Sequence, residues 1–144
     1  MTYYGNKPFW RELAAFLATN AVAPPFMNGA NVGLMVNVPI LQPSLLLADL
    51  TLPTYTGYAD QAVTAYGDPY NAGTTVIIVP AVDVLTFTVT ADSTPEFITG
   101  YWLQKTGETA LFLALFDNPV LVANTDDALV LVPNMALQVA SVAI

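Results

Sequence analysis

Catalysis needs groups that move protons, attack carbonyls or hold metals, and this chain of 144 residues carries few of them. It has no histidine and no cysteine. The usual general base, the commonest metal ligand, the thiolate nucleophile and every disulfide are therefore missing together. Ser44, Ser93 and Ser141 have no histidine to activate them, and none sits in a G-x-S-x-G turn, so serine hydrolysis is not expected. Glu96, Glu108, Asp117, Asp126 and Asp127 are close enough in sequence to work as an acid–base pair on a sugar. Each falls at a predicted turn, where a carboxylate caps local N–H groups, and that reading is preferred. Asp68-Pro69-Tyr70-Asn71-Ala72-Gly73 imitates the start of a calcium loop, but Val79 stands where the bidentate glutamate belongs. No glycine-rich phosphate loop occurs. The expectation is a protein that is not an enzyme, with no catalytic residue, no cofactor and no metal.

Two features could still bind something. Tyr55, Tyr58, Tyr66, Tyr70, Tyr101 and Trp102 could form a platform on which a sugar ring stacks, although the same residues make ordinary sandwich core. Charge narrows the partners further. The net charge is −8 and only Lys7, Arg11 and Lys105 are positive, so no patch can neutralise a phosphate backbone and nucleic acid is excluded. Hydrophobic residues make up 55% and charged residues 10% of the chain. The apolar runs are short, the longest being LFLALF at 111–116, so no membrane-spanning helix and no membrane partner are expected. A basic pair before an apolar stretch imitates a leader peptide, but Glu12 interrupts it.

The elements that must carry these residues follow from periodicity. Asn6 or Lys7 can precede a helix with Pro8 in its first turn, and Phe9, Leu13, Phe16 and Leu17 share helical spacing, which predicts a helix over 8–19. Residues 20–31, with Pro24-Pro25, read as a linker. Strand-length runs then recur between turn signals. The predicted strands are 32–38, a weak or edge strand at 45–50, 74–79, 84–90, a hairpin of 97–104 and 109–116 around Lys105-Thr106-Gly107-Glu108, and 135–143. In 84–90, Val84, Thr86, Thr88 and Thr90 alternate with Leu85, Phe87 and Val89. Asp117-Asn118-Pro119 is expected to close the hairpin, and 124–127 to form another polar loop. The predicted fold is all-β, an antiparallel β-sandwich of immunoglobulin-like or jelly-roll-like type with about eight strands. Residues 1–31 form an N-terminal helix and arm, and 32–144 the sandwich.

The hairpin is apolar on both faces, whereas a sandwich covers one face of each sheet, so the second face is expected to meet another subunit, the N-terminal arm or a larger host surface. This predicts a homo-oligomer, with a trimer favoured. The expected contacts on the hairpin are Phe97, Tyr101, Trp102, Phe112, Leu113 and Phe116. On the arm they are Phe9, Trp10, Leu13 and Phe16, with docking of the helix back on its own sandwich as the equal alternative.

Leu47, Ala48, Asp49, Leu50, Thr51, Tyr55, Gly57, Tyr58 and Ala59 form an L-A-D-L-T-x-x-x-Y-x-G-Y-A element, followed later by Gly100-Tyr101-Trp102. With VLTFTVT and the closing apolar strands, these residues resemble small structural proteins of tailed bacteriophages over about residues 32–142. The resemblance implies a protein of the virion, placed on the capsid surface as a head decoration or cement protein whose partner is the major capsid protein. The alternative it leaves open is a tail or fibre module that binds a host glycan.

Overall fold

The computed structural model describes residues 1–18, 27–73 and 76–138, with side chains omitted at 16–18 and 138. The chain is mostly β, with strands β1 (Thr2–Gly5), β2 (Asn31–Met35), β3 (Gln61–Ala62), β4 (Tyr70–Asn71) and β5 (Val76–Val79). The second half adds β6 (Leu85–Thr88), β7 (Glu96–Gln104), β8 (Phe112–Val122), β9 (Ala128–Leu131) and β10 (Met135–Gln138). One helix, α1, spans Lys7–Ala18. The strands pair antiparallel into a five-stranded sheet in the order β1-β8-β7-β2-β3, a three-stranded sheet β10-β5-β4 and a two-stranded ribbon β6-β9. The expected antiparallel, sandwich-like all-β fold with a short N-terminal helix is the one observed.

The core lies between the large sheet and the two small ones. Val32 and Leu34 of β2, Tyr101 and Leu103 of β7 and Phe112 and Ala114 of β8 meet Val79, Leu85, Phe87, Leu129, Leu131 and Met135 from the other layer. The alternation read in 84–90 is present, with Leu85, Phe87 and Val89 buried and Val84 and Thr86 outside.

Asn6 is the cap of α1, its Oδ1 accepting the Phe9 N–H at 3.0 Å. The helix packs back on its own sheet, with Phe9 and Leu13 in the core and the Phe9 ring 5.3 Å from that of Phe112. Residues 2–5 are no free arm, because β1 pairs along β8 from Thr2↔Leu115 to Gly5↔Phe112. A division at residue 31 therefore cuts through the large sheet.

Several elements differ from the sequence reading. Residues 47–49 form a 3-10 turn instead of a strand, pinned by the Asp49 carboxylate accepting the Leu46 N–H at 2.9 Å. Asp117-Asn118-Pro119 does not end β8. Phe116 to Pro119 oppose the single residue Thr99, and pairing resumes at Ile98↔Val120. Proline has no N–H to give the ladder, so the chain bulges there and continues. Finally, β1, β3, β4 and β9 lie in segments with no predicted strand. The distal half of the predicted 135–143 strand, residues 74 and 75 of the predicted 74–79 strand, and most of the 20–31 linker lie outside the described residues.

Candidate assembly surface

Both faces of the β7–β8 hairpin are indeed apolar, and the chain covers both itself. Trp102, Leu111, Leu113 and Met35 on the second face pack against Leu45 and Leu50, with Tyr4, Leu47 and Leu115 around them. The covering segment is held at both ends. Lys7 N–H donates to the Pro43 carbonyl at 2.9 Å, and Asn6 Nδ2 donates to Leu45 O at 2.9 Å. At the other end Val36 N–H donates to Thr51 O at 2.9 Å and Thr51 N–H to Asn37 Oδ1 at 2.8 Å. Gly33 makes room for this layer, since a Cβ there would stand 2.3 Å from the Trp102 indole.

The premise for a partner on that face is thereby corrected. Phe9, Leu13, Tyr101, Trp102, Phe112 and Leu113 are buried inside the subunit and offer no area to another chain. Phe116 is half-buried, its ring 6.2 Å from Tyr101. Phe16 lies on α1, with its side chain outside the described residues. Of the ten expected contacts, only Trp10, 44% exposed, and Phe97, 58% exposed, face outward among the described side chains.

Other apolar side chains take their place. Phe97 lies directly opposite Leu121, itself 52% exposed. Side chains alternate faces along a strand, and an odd slip in pairing reverses them. The bulge at 116–119 is such a slip: β8 keeps its alternation, with Ala114 and Val122 both in the core, while on β7 Ile98 takes the core side that Tyr101 and Leu103 hold before it and Phe97 turns outward beside Leu121. A second strip runs along the outer face of the β6–β9 ribbon. There Thr86 opposes Val130, flanked by Val84 and Val132, and the three valines are all exposed. The 38–41 segment adds exposed Val38 and Ile40. Sequence reasoning missed Leu121, Val130 and Val132. The A-L-V-L alternation at 128–131 was a readable signal for the last two, while Leu121 lies on the part of β8 beyond the turn expected at 117–119.

The proposed sugar platform does not assemble. Tyr55, Tyr66, Tyr101 and Trp102 are buried. Their polar tips are spent inside: Tyr66 and Tyr101 donate to the Pro133 and Asn134 carbonyls at 2.9 and 2.5 Å, and Trp102 Nε1 donates to Leu34 O at 3.2 Å. Burial pushes the Tyr55 phenol up to about 12 and raises those of Tyr66 and Tyr101 further. Tyr58 accepts the Leu34 N–H at 2.9 Å and donates to Asp60 at 2.8 Å, which ties the 55–60 turn to β2. Tyr70 alone of the six is more than half exposed.

The carboxylates act on the backbone around them. Asp127 accepts the N–H groups of Asn124 and Ala123 at 2.8 and 3.0 Å, and these bonds hold its pKa below the usual carboxylate range. Asp92 is lowered in the same way by the Thr125 N–H and hydroxyl. Glu96 receives the Thr54 N–H and hydroxyl. Asp68–Gly73 carries β4, paired with β5, where a calcium loop was imitated. Among the described residues no group of three acidic side chains is placed to hold a metal ion, and no helix is long and apolar enough to cross a membrane.

No family model, curated protein or solved structure matches this chain.

Proposed function

We propose that this chain is a non-enzymatic structural subunit of a tailed-bacteriophage particle, a cement protein that binds across junctions between major capsid subunits on the head surface. The observation that carries the reading is the pair of outward apolar strips, Phe97–Leu121 beyond the bulge and Val84–Val130–Val132 on the ribbon. They remain exposed although the core is filled on both faces of the hairpin, and apolar patches of that kind mark contacts with other proteins. The L-A-D-L-T-x-x-x-Y-x-G-Y-A resemblance supplies the setting. In such a setting each copy needs only modest affinity, because many repeated contacts act together on one shell. A homo-oligomer, the expected trimer included, would form through these outer strips and not through the covered hairpin.

The glycan-binding alternative loses its aromatic platform to the core, as the burial of Tyr55, Tyr66, Tyr101 and Trp102 shows. The test is quantitative mass spectrometry of purified virions of the phage that encodes the chain. Hundreds of copies per particle support head decoration, a handful point to the tail, and none removes the proposal.

A further inference from the structure

A cleft of about 310 Å³ opens where β1, α1, β5 and β10 meet, walled by Tyr3, Trp10, Val76, Phe112 and Ala136. The Tyr3 ring stacks on Phe112 at 6.2 Å and 27°, and the Trp10 indole stands edge-on to Phe9 at 5.5 Å. Both rims stay open, Tyr3 being 36% and Trp10 44% exposed. One end is polar. Met1 lines that end, and the Thr2↔Leu115 pairing brings Asp117 of β8 alongside it, where its charge, after burial, raises the Tyr3 phenol. The Asp117 side chain is 78% exposed and holds the amino group of Met1, a lining residue, at 2.5 Å, so a cation already sits at the end of the cleft.

We infer that this cleft receives a basic side chain, an arginine or lysine of a protein partner, with its cation on Asp117 and its stem along Tyr3 and Trp10. Charge complementarity carries the choice. The chain has eleven acidic against three basic residues, so its field draws cations in and turns carboxylates away. Indole and phenol faces attract a cation through the ring quadrupole, with tryptophan the best of them. A guanidinium adds paired hydrogen bonds to the carboxylate, and the aliphatic stem covers the apolar wall. The incoming group exchanges with the Met1 amino group at the same oxygen. A neutral sugar could use the rings but gains nothing from the acidic field. The inference rests on the cleft and the Met1–Asp117 pair at its end and stands independently of the particle role.

The full chain reports on this cleft directly, because Trp102 is buried at 2% exposure and Trp10 is the open indole. Titration at low salt with N-acetyl-arginine amide should change the tryptophan fluorescence saturably. The neutral isostere N-acetyl-citrulline amide should bind at least about fivefold more weakly, and Asp117→Asn should weaken the arginine probe by a similar factor, as loss of one exposed charge pair requires. Raised salt should weaken it further. Tyr3→Ala, checked for folding by circular dichroism, should weaken it with Asp117 intact. The inference is overturned if the citrulline probe saturates as well as the arginine probe, if Asp117→Asn binds unchanged, if methyl glucoside binds and the arginine probe does not, or if no probe saturates.

Discussion

Asn6 joins three parts of the molecule, and its replacement is the sharpest test of how they are held. The residue is fully buried. Its Oδ1 accepts the N–H groups of Phe9 and Leu111, both at 3.0 Å, and its Nδ2 donates to the carbonyls of Leu45 at 2.9 Å and Thr109 at 2.8 Å. One side chain thus caps the helix, anchors the covering segment and fixes the start of β8. Asn6→Ala removes all four bonds and strands two N–H and two C=O groups. At about 1 kcal/mol net per bond, with more for donors left unsatisfied and loss of the helix cap included, the expected cost is about 3–5 kcal/mol. For a chain of this length that lowers Tm by roughly 8–15 °C. Urea unfolding followed by tryptophan fluorescence reads the value, and a loss under about 1 kcal/mol would refute the bonding described. Asn6→Asp sharpens the test. It keeps both acceptor roles but turns carboxylate oxygen toward the Leu45 and Thr109 carbonyls, so its folded-state pKa must rise. The deficit relative to Asn6 should be smallest below about pH 4, the unfolded aspartate value, and grow as pH rises. A deficit that does not change with pH would contradict the geometry.

Gly100→Ala should not yield folded protein, because its Cβ would stand 2.0 Å from the Ala114 backbone carbonyl, which cannot step aside; soluble expression and circular dichroism check it. Gly29→Ala meets nothing within 4 Å but must hold φ 76°, so a milder loss of about 1 kcal/mol is expected in denaturant unfolding. Stability should fall on acidification: the lowered pKa values of Asp92 and Asp127 add stability that is present above about pH 3.9 and lost as pH drops through the folded values, and Asp127→Asn should flatten that part of the curve in a pH series of unfolding midpoints. At alkaline pH the raised phenols of Tyr55, Tyr58, Tyr66 and Tyr101 reverse the sign: their stabilisation is whole below about pH 10 and lost above it, so ultraviolet titration should show these four ionising only with unfolding.

The local elements whose patterns are self-contained were readable from the chain. Pro8 and the spacing of Phe9 and Leu13 located the helix, and the strict alternation of 84–90 placed the inner and outer faces of β6. The β7–β8 hairpin was visible in its two apolar runs around Gly107, whose positive φ of 78° fits the turn. What escaped depends on long-range partners. The LLLADL segment is apolar for the sake of Trp102 and Leu113, over fifty residues away, and its own pattern does not distinguish an edge strand from a covering turn. Reading both faces of the hairpin as needing cover was sound, but the second cover is none of the subunit, arm or host surface that the sequence suggested, because residues 43–51 supply it. The element that carries the phage resemblance is accounted for by the same packing. Leu47 and Leu50 cover Trp102, Asp49 pins the turn, Tyr58 ties it to β2, and Gly57, at φ 95°, lies where a Cβ would meet Thr90 at 2.6 Å. Those residues build the fold, and the contacts of the proposed assembly lie elsewhere on its surface.

That separation is open to one direct measurement: rebinding of purified chain to particles stripped of it, comparing the native sequence with the Phe97→Asp, Leu121→Asp double variant. Both side chains are more than half exposed, so the variant should keep its fold and unfolding midpoint within about 0.5 kcal/mol per site. The account predicts that native chain rebinds to saturation while the folded double variant does not. Native chain that fails to rebind, or a double variant that rebinds as tightly, would contradict it.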